Sequence, residues 1–202
     1  MARHLHIEGM DLSGKTSLVA NYIERSDSEW HVKHGILNED NPIRSLADQL
    51  TSSGRYSQEV IDELYITGIA ADIETYVRPE LDTIQDSVIA LRALAWHVVN
   101  GNKNTADKIE ALLIRHPQFD RSLYLTANMQ RRQERLAIRE RENPTKVNSK
   151  DLLVREDPER FARMEKILQR YVVDLFDAHI IDTSDLTPTE VLSHVEEKLE
   201  DI

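Results

Sequence analysis

Cysteine is absent from the 202-residue chain, which excludes a disulfide framework and a thiolate metal site. No apolar run is long enough to span a bilayer. The N-terminus passes almost at once into a predicted strand, leaving no room for a signal peptide. Positive charge is in short supply: 25 Lys and Arg face 36 Asp and Glu, a net charge of -11. Nucleic acid and anionic membranes would both be repelled, so neither is expected as a partner. Internal repeats and low-complexity tracts are missing too. What is left is the profile of a soluble cytoplasmic protein, one domain over residues 1–202, able to bury on the order of 70% of its unfolded surface.

Glycine is also scarce, six residues in all, yet two of them fall in one octapeptide. Gly9-Met10-Asp11-Leu12-Ser13-Gly14-Lys15-Thr16 fits G-x-x-x-x-G-K-[ST], the loop that cradles phosphate. A triphosphate concentrates negative charge, so its host needs closely spaced donors and no intervening side chains. Gly9 and Gly14 let the backbone bend and turn its N–H groups inward. Lys15 is placed to reach the β- and γ-phosphates, and the Thr16 hydroxyl to hold Mg²⁺. With Asp11, Ser13 and Ser17 these residues form the predicted ATP site. The flanks agree: His4-Leu5-His6-Ile7 alternates as a strand, and Leu18, Val19, Tyr22 and Ile23 recur at helical spacing to about Arg25. The helix adds its positive N-terminal end to the same anion. His31 and His34 lack the i, i+4 spacing of paired ligands, so no metal is expected beyond substrate Mg²⁺.

Strand-like and helix-like segments alternate through the rest. Trp30–Lys33 is a predicted strand, and Asn41-Pro42 caps and opens a helix carrying Ile43, Leu46, Ala47 and Leu50. A long helix is predicted from Gln58 to Val77, a strand at Leu81–Asp86, and a helix over Val88–Asn100 closed by Gly101. Thr105–Arg115 is helical and ends before Pro117; Ser122–Thr126 is a buried strand. Met129–Glu142 is a charged helix, 143–157 is polar and irregular, and Glu159–Asp174 is helical again. His179–Asp182 is a last strand, and Thr187-Pro188-Thr189-Glu190 opens the C-terminal helix with a capping box and a first-turn proline. Such alternation predicts an α/β fold, a parallel sheet flanked by helices, with ligands at the C-terminal strand ends.

Phosphoryl transfer needs charge neutralisation, alignment and an oriented nucleophile. Asp86 ends a predicted strand on the edge that faces the phosphates, where a carboxylate can orient an acceptor hydroxyl or a magnesium-bound water. Ending a strand or capping the next helix is its alternative role. Arg92 on the following helix faces either this cleft or solvent. Arg131, Arg132, Arg135, Arg139 and Arg141 form a basic island with Lys146 and Lys150. Arg132, Arg135 and Arg139 share one helical face, as an arginine-rich lid over 131–157 would require. The same arginines can instead pair with Glu134, Glu140 and Glu142. Asp11 either points to an acceptor hydroxyl or stabilises its turn.

Glu8-Gly9-Met10-Asp11-Leu12-Ser13-Gly14-Lys15-Thr16 resembles the E-G-x-[DE]-x-x-G-K-[ST] opening of thymidylate kinases, and weaker similarity runs through nearly the whole chain. Ala70-Ala71-Asp72 and Arg78-Pro79 resemble that family's helix before its third strand. Leu123–Thr126 with Arg135 and Arg139 resembles its fourth strand and lid, and Ile180-Ile181-Asp182 its last strand. The resemblance implies a three-layer P-loop kinase that uses Mg·ATP on a nucleotide or nucleoside. It also implies Lys15, Asp86, Arg135 and Arg139 as catalytic groups, Thr183 to Asp185 near adenine, and a homodimer. The departures lie on the acceptor side. Where the family has Asp-Arg this chain has Asp86-Ser87 or, with the register shifted, Leu91-Arg92 and no carboxylate, and Ile73 replaces the arginine that holds the acceptor's phosphate. Asn38-Glu39-Asp40-Asn41-Pro42 stands where the family has Arg-Glu-Pro-Gly, and Leu12 where some members carry a loop arginine. A neutral acceptor is therefore an alternative, with Arg44, Arg78 or Arg92 as the stand-ins if the acceptor is a monophosphate. A non-catalytic ATP-binding module is a second alternative.

Overall fold

A computed structural model describes residues 2–199. The elements run β1 (His4–Glu8), α1 (Lys15–Arg25), β2 (His31–Gly35), α2 (Pro42–Ser53), α3 (Gln58–Glu74), β3 (Thr83–Val88), α4 (Ile89–Val99) and α5 (Lys103–Leu113). They continue with β4 (Arg121–Thr126), α6 (Met129–Glu142), α7 (Ser149–Glu156), α8 (Pro158–Phe176), β5 (His179–Asp182) and α9 (Pro188–Leu199). The five strands form one parallel sheet in the order β2-β3-β1-β4-β5. Helices cover both faces, giving the three-layer α/β fold.

Strand periodicity sorts the two faces. Leu5 and Ile7 of β1 join Ile84, Leu123, Leu125 and Ile181 against Leu18 and Val19 of α1 and Val191, Leu192 and Val195 of α9. The opposite face of β1 carries His4, His6 and Glu8, all buried. Burying that polar row is tolerable because it is largely partnered. His6 Nδ1 meets Ser122 Oγ at 2.7 Å, and His4 Nδ1 meets Tyr76 Oη at 3.1 Å. Burial lowers the His4 and His116 imidazoles to about 4, so both stay neutral in this layer. The main apolar core lies on this side, where Leu91 and Leu94 of α4 and Ile109 of α5 meet Phe161, Leu168 and Val172 of α8.

Several segments differ from the sequence expectations, each for a local reason. Residues 143–157 are not irregular: a 3-10 turn spans Pro144–Lys146 and α7 follows. The Asn148 side chain accepts from the Lys150 and Asp151 N–H groups, while the Asp151 carboxylate accepts from the Asn148 N–H, a reciprocal cap on a short helix. The long helix stops at Glu74 rather than Val77, since Thr75 caps it and the next side chain, Tyr76, turns to His4. The second strand begins at His31 instead of Trp30. The third runs on to Val88, because Gly35 pairs with Val88 and the Val88 N–H donates to Glu8. Asp86 thus lies within β3, opposite Ile7, two residues before its end.

Candidate active site

β1 delivers the loop at 9–14 to the C-terminal edge of the sheet, and α1 starts directly from it. At Gly9 a Cβ would stand 2.2 Å from the Leu125 carbonyl oxygen, so no other residue fits without moving β4. Gly14 has φ +101° and Leu12 φ +65°; the first suits glycine, and the second holds a leucine in left-handed conformation with its side chain buried.

The loop's carbonyls are held from outside. Lys15 Nζ and Arg92 Nη2 both donate to the Gly9 carbonyl, each at 2.5 Å. Arg132 of α6 donates to the Asp11 carbonyl through Nη1 and to Ala127 O through Nε at 2.9 Å. Arg135 Nη1 donates to Leu12 O at 2.9 Å, and the Thr183 hydroxyl, just past β5, donates to Ser13 O at 2.8 Å. A trans peptide sets its N–H opposite its C=O. Clamping the Asp11 and Ser13 carbonyls therefore turns the Leu12 and Gly14 N–H groups to the other side of the loop.

Charges behind the loop are paired in a chain. Glu8 is fully buried; its Oε1 accepts from Gly9 N at 3.0 Å and from Arg92 Nη2 at 3.0 Å, and its Oε2 from Val88 N at 2.8 Å. Burial pushes this carboxyl up, but Arg92, with His6 and Lys15, outweighs it and holds it well below the usual carboxylate range. Burial would likewise discharge Arg92, yet Glu8 and Asp11 raise it. Lys15 is lowered to about 8, chiefly by burial and then by Arg92. Arg132, fully buried, pairs with Glu165 of α8, whose Oε1 also accepts from Thr126 Oγ1 at 3.0 Å.

Three cavities open on this edge. One of about 250 Å³ is lined by Asp11 to Ser17 with Arg139 and Asn148. A second, about 460 Å³, lies between α6 and the segment after β5, with Ser13, Gly14, Ser17, Arg135, Ile138, Arg139, Thr183 and Leu186 among its walls. A third, about 490 Å³ and mostly apolar, is enclosed by α3, α4 and α7, with Ile66, Ile69, Ile89, Trp96 and Met164 in its lining.

The structure brings Asp11, Ser13, Gly14, Lys15, Thr16, Ser17, Arg135, Arg139 and Thr183 to the first two cavities. Gly9 sits behind them, pressed on β4. Thr183 is fully buried with its hydroxyl bonded to backbone oxygens, so its backbone and neighbours, not its hydroxyl, face outward. Arg135 is bonded to Leu12 O and Thr183, and Arg139 Nη1 to Asp151 at 2.7 Å. Asp86 lines none of the three cavities; its Oδ2 lies 3.2 Å from His34 Nδ1 and its Oδ1 accepts from Ser87 Oγ at 3.2 Å. It stays near enough to Lys15 to favour that residue's charged form. Of the alternative arginines, Arg44 and Arg92 reach the third cavity, while Arg78 is paired with Asp120 at 2.6 Å beside the start of β1, the opposite end of the sheet. Ile73 packs against the core. Two features escaped the sequence. Glu8 was visible only as a motif letter, and its partner Arg92 lies 84 positions away. Asp72 was visible within Ala-Ala-Asp; its carboxylate accepts from the Leu37 and Asn38 N–H groups and fastens the loop after β2 to α3.

No profile of a known protein family matches the chain, and no curated protein matches it. Solved structures do. A thymidylate kinase from Candida albicans superposes with a TM-score of 0.67 at 16% identity, covering 99% of this chain and 92% of that one. A deoxyadenosine kinase from M. mycoides, solved with bound dATP, gives 0.58 at 16% identity over 98% and 99%. A thymidylate kinase from Ehrlichia chaffeensis gives 0.58 at 14% identity over 98% of each chain. The fold is that of the thymidylate and deoxynucleoside kinases.

Proposed function

We propose that this chain, built on a thymidylate kinase-like fold, is a cytoplasmic Mg·ATP-dependent phosphotransferase that moves the γ-phosphoryl group to a nucleotide or nucleoside acceptor. One observation carries the reading. Among the described residues Asp11 alone lines both the 250 Å³ cavity around Lys15 and Thr16 and the 490 Å³ apolar cavity, so donor and acceptor compartments meet at a single carboxylate. The 460 Å³ cavity between α6 and the β5–α9 segment then takes the nucleotide base.

In this reading the loop N–H groups and the start of α1 bind the phosphates. Lys15 neutralises charge on the transferring group, with Arg139 and Arg135 beside it. Arg132 and Arg92 act at one remove, holding the loop's carbonyls. Asp11 orients the acceptor, and Asp86, outside the three cavities, acts at one remove by favouring the charged form of Lys15. Thr16, exposed on the phosphate cavity with no hydrogen-bond partner for its hydroxyl among the described residues, fits a magnesium ligand. When bound, Mg²⁺ supplies charge neutralisation on the phosphate oxygens.

The test is acceptor-stimulated ADP release from Mg·ATP across deoxynucleosides and their monophosphates, with Lys15→Ala as the blank. Stimulation that disappears in the variant is the expected result. A second reading, an ATP-binding module without transfer, draws on Arg132, Arg135 and Arg139 all being engaged by protein groups. It predicts ATP binding with no acceptor stimulation.

A further inference from the structure

We propose that Asn148, the residue that caps α7, is a further phosphate-binding group, its side-chain amide nitrogen donating to the γ-phosphoryl group of a bound nucleoside triphosphate. The inference rests on the kinase reading and adds a residue to that site.

The 250 Å³ cavity has two walls. One is the loop with the start of α1, residues 11–17; the other is made by Arg139 of α6 and Asn148. A single buried carboxylate ties these two residues together. Asp151 Oδ1 accepts from Arg139 Nη1 at 2.7 Å, and its Oδ2 accepts from the Asn148 N–H at 3.1 Å. The wall opposite the loop is thereby built in one piece, a cation beside a neutral amide.

The cap decides which end of that amide is left for the cavity. A side-chain amide carries an accepting oxygen and a nitrogen with two protons to donate. Asn148 Oδ1 takes the N–H groups of Lys150 at 2.8 Å and Asp151 at 3.2 Å, and only an oxygen can accept from both. Nδ2 has no hydrogen-bond partner among the described residues, on an exposed side chain that lines the phosphate cavity. An anionic oxygen is the acceptor that best matches such a donor.

The adjoining cavities indicate which phosphate it meets. Leu12, Ser13, Gly14, Ser17 and Arg139 line both the phosphate cavity and the 460 Å³ cavity assigned above to the base, whereas Asn148 lines only the former. The next two residues, Ser149 and Lys150, line the apolar cavity. Asn148 thus stands, as Asp11 does, at the end of the phosphate cavity that meets the acceptor compartment, where the terminal phosphoryl group belongs.

The experiment is calorimetric titration of the full chain with Mg·ADP and with the magnesium complex of β,γ-imido ATP, in wild type, Asn148→Asp and Asn148→Ser. Asn, Asp and Ser cap helices about equally well, so both variants keep α7, which circular dichroism checks. The first puts a negative charge where the donor was, and the second removes the amide without adding charge. Asn148→Asp is expected to weaken the imido analogue about tenfold or more and Asn148→Ser severalfold, with Mg·ADP changed less than about twofold in either. Unaltered affinity for the analogue in both variants overturns the inference, as does an equal loss for the two nucleotides. A wild type that binds neither nucleotide overturns the kinase reading and this inference with it. Analogue-selective loss in a chain that releases no ADP with any acceptor upholds the role of Asn148 and overturns only the kinase reading.

Discussion

The phosphate loop and the apolar cavity beside it share Asp11 but handle charge differently. The two cavities beside the loop are lined by Lys15, Arg131, Arg135, Arg139 and Lys146 against Asp11, Glu134 and Glu142, and the loop's carbonyls are held by cations: Arg92 and Lys15 on Gly9, Arg132 on Asp11, Arg135 on Leu12. A site built this way keeps net positive charge for a polyanion while fixing the loop's shape in advance. The apolar cavity is lined by three cations, Arg44, Arg92 and Lys150, and three carboxylates, Asp11, Asp62 and Glu156, among mostly apolar walls. In the proposed kinase reading the first compartment takes the triphosphate and the second the acceptor.

The largest expected effect comes from the buried cation that joins the loop to α8. Arg132→Met leaves Glu165 in the core without its partner, and a loss of about 3–5 kcal/mol of stability is expected by urea denaturation. A change below about 1 kcal/mol would mean that the loop is shaped without this clamp. Lys15→Ala should cost about 10²–10³ in phosphoryl transfer and leave nucleoside binding in the apolar cavity unchanged. Loss of both together would contradict the division between compartments.

A pH series sharpens the contrast further. Lys15 is lowered to about 8, and only its protonated form attracts phosphate. ATP affinity should therefore be fully present below pH 8 and fall as pH rises through that value, by up to about tenfold per pH unit. Nucleoside binding should stay level over the same range, because Lys15 does not line the apolar cavity. The smallest effect on stability is expected at Trp96, 41% exposed on the cavity wall. Trp96→Ala should change folding free energy by less than about 1 kcal/mol while weakening nucleoside binding severalfold; equal binding in the variant would remove the aromatic wall from recognition.

The loop was legible because its chemistry is local: two glycines, a lysine and a threonine at fixed spacing, between an alternating strand and an amphipathic helix. The strand order was not, although alternation pointed to a parallel sheet. Helix α6 could be bounded to the residue from its strongly charged stretch, Met129–Glu142. Its arginines could not be sorted, since periodicity gives a shared face without saying what that face meets. Arg132 is fully buried against the loop, whereas Arg131 stays with Glu134. Helix α7 was missed because its start signal is Asn148 with Asp151, in a stretch whose few apolar residues make no periodic stripe. The apolar cavity is the least legible part. Its walls come from six helices and the loop, and its charge balance depends on pairs such as Glu8 with Arg92 that only the fold brings together.

The most direct test of phosphoryl transfer between these compartments is ADP release from Mg·ATP with and without a pooled nucleoside acceptor, in wild type and Lys15→Ala. The account predicts stimulation by the pool in wild type and none in the variant. ADP release indifferent to every acceptor, or surviving the loss of Lys15, would contradict it.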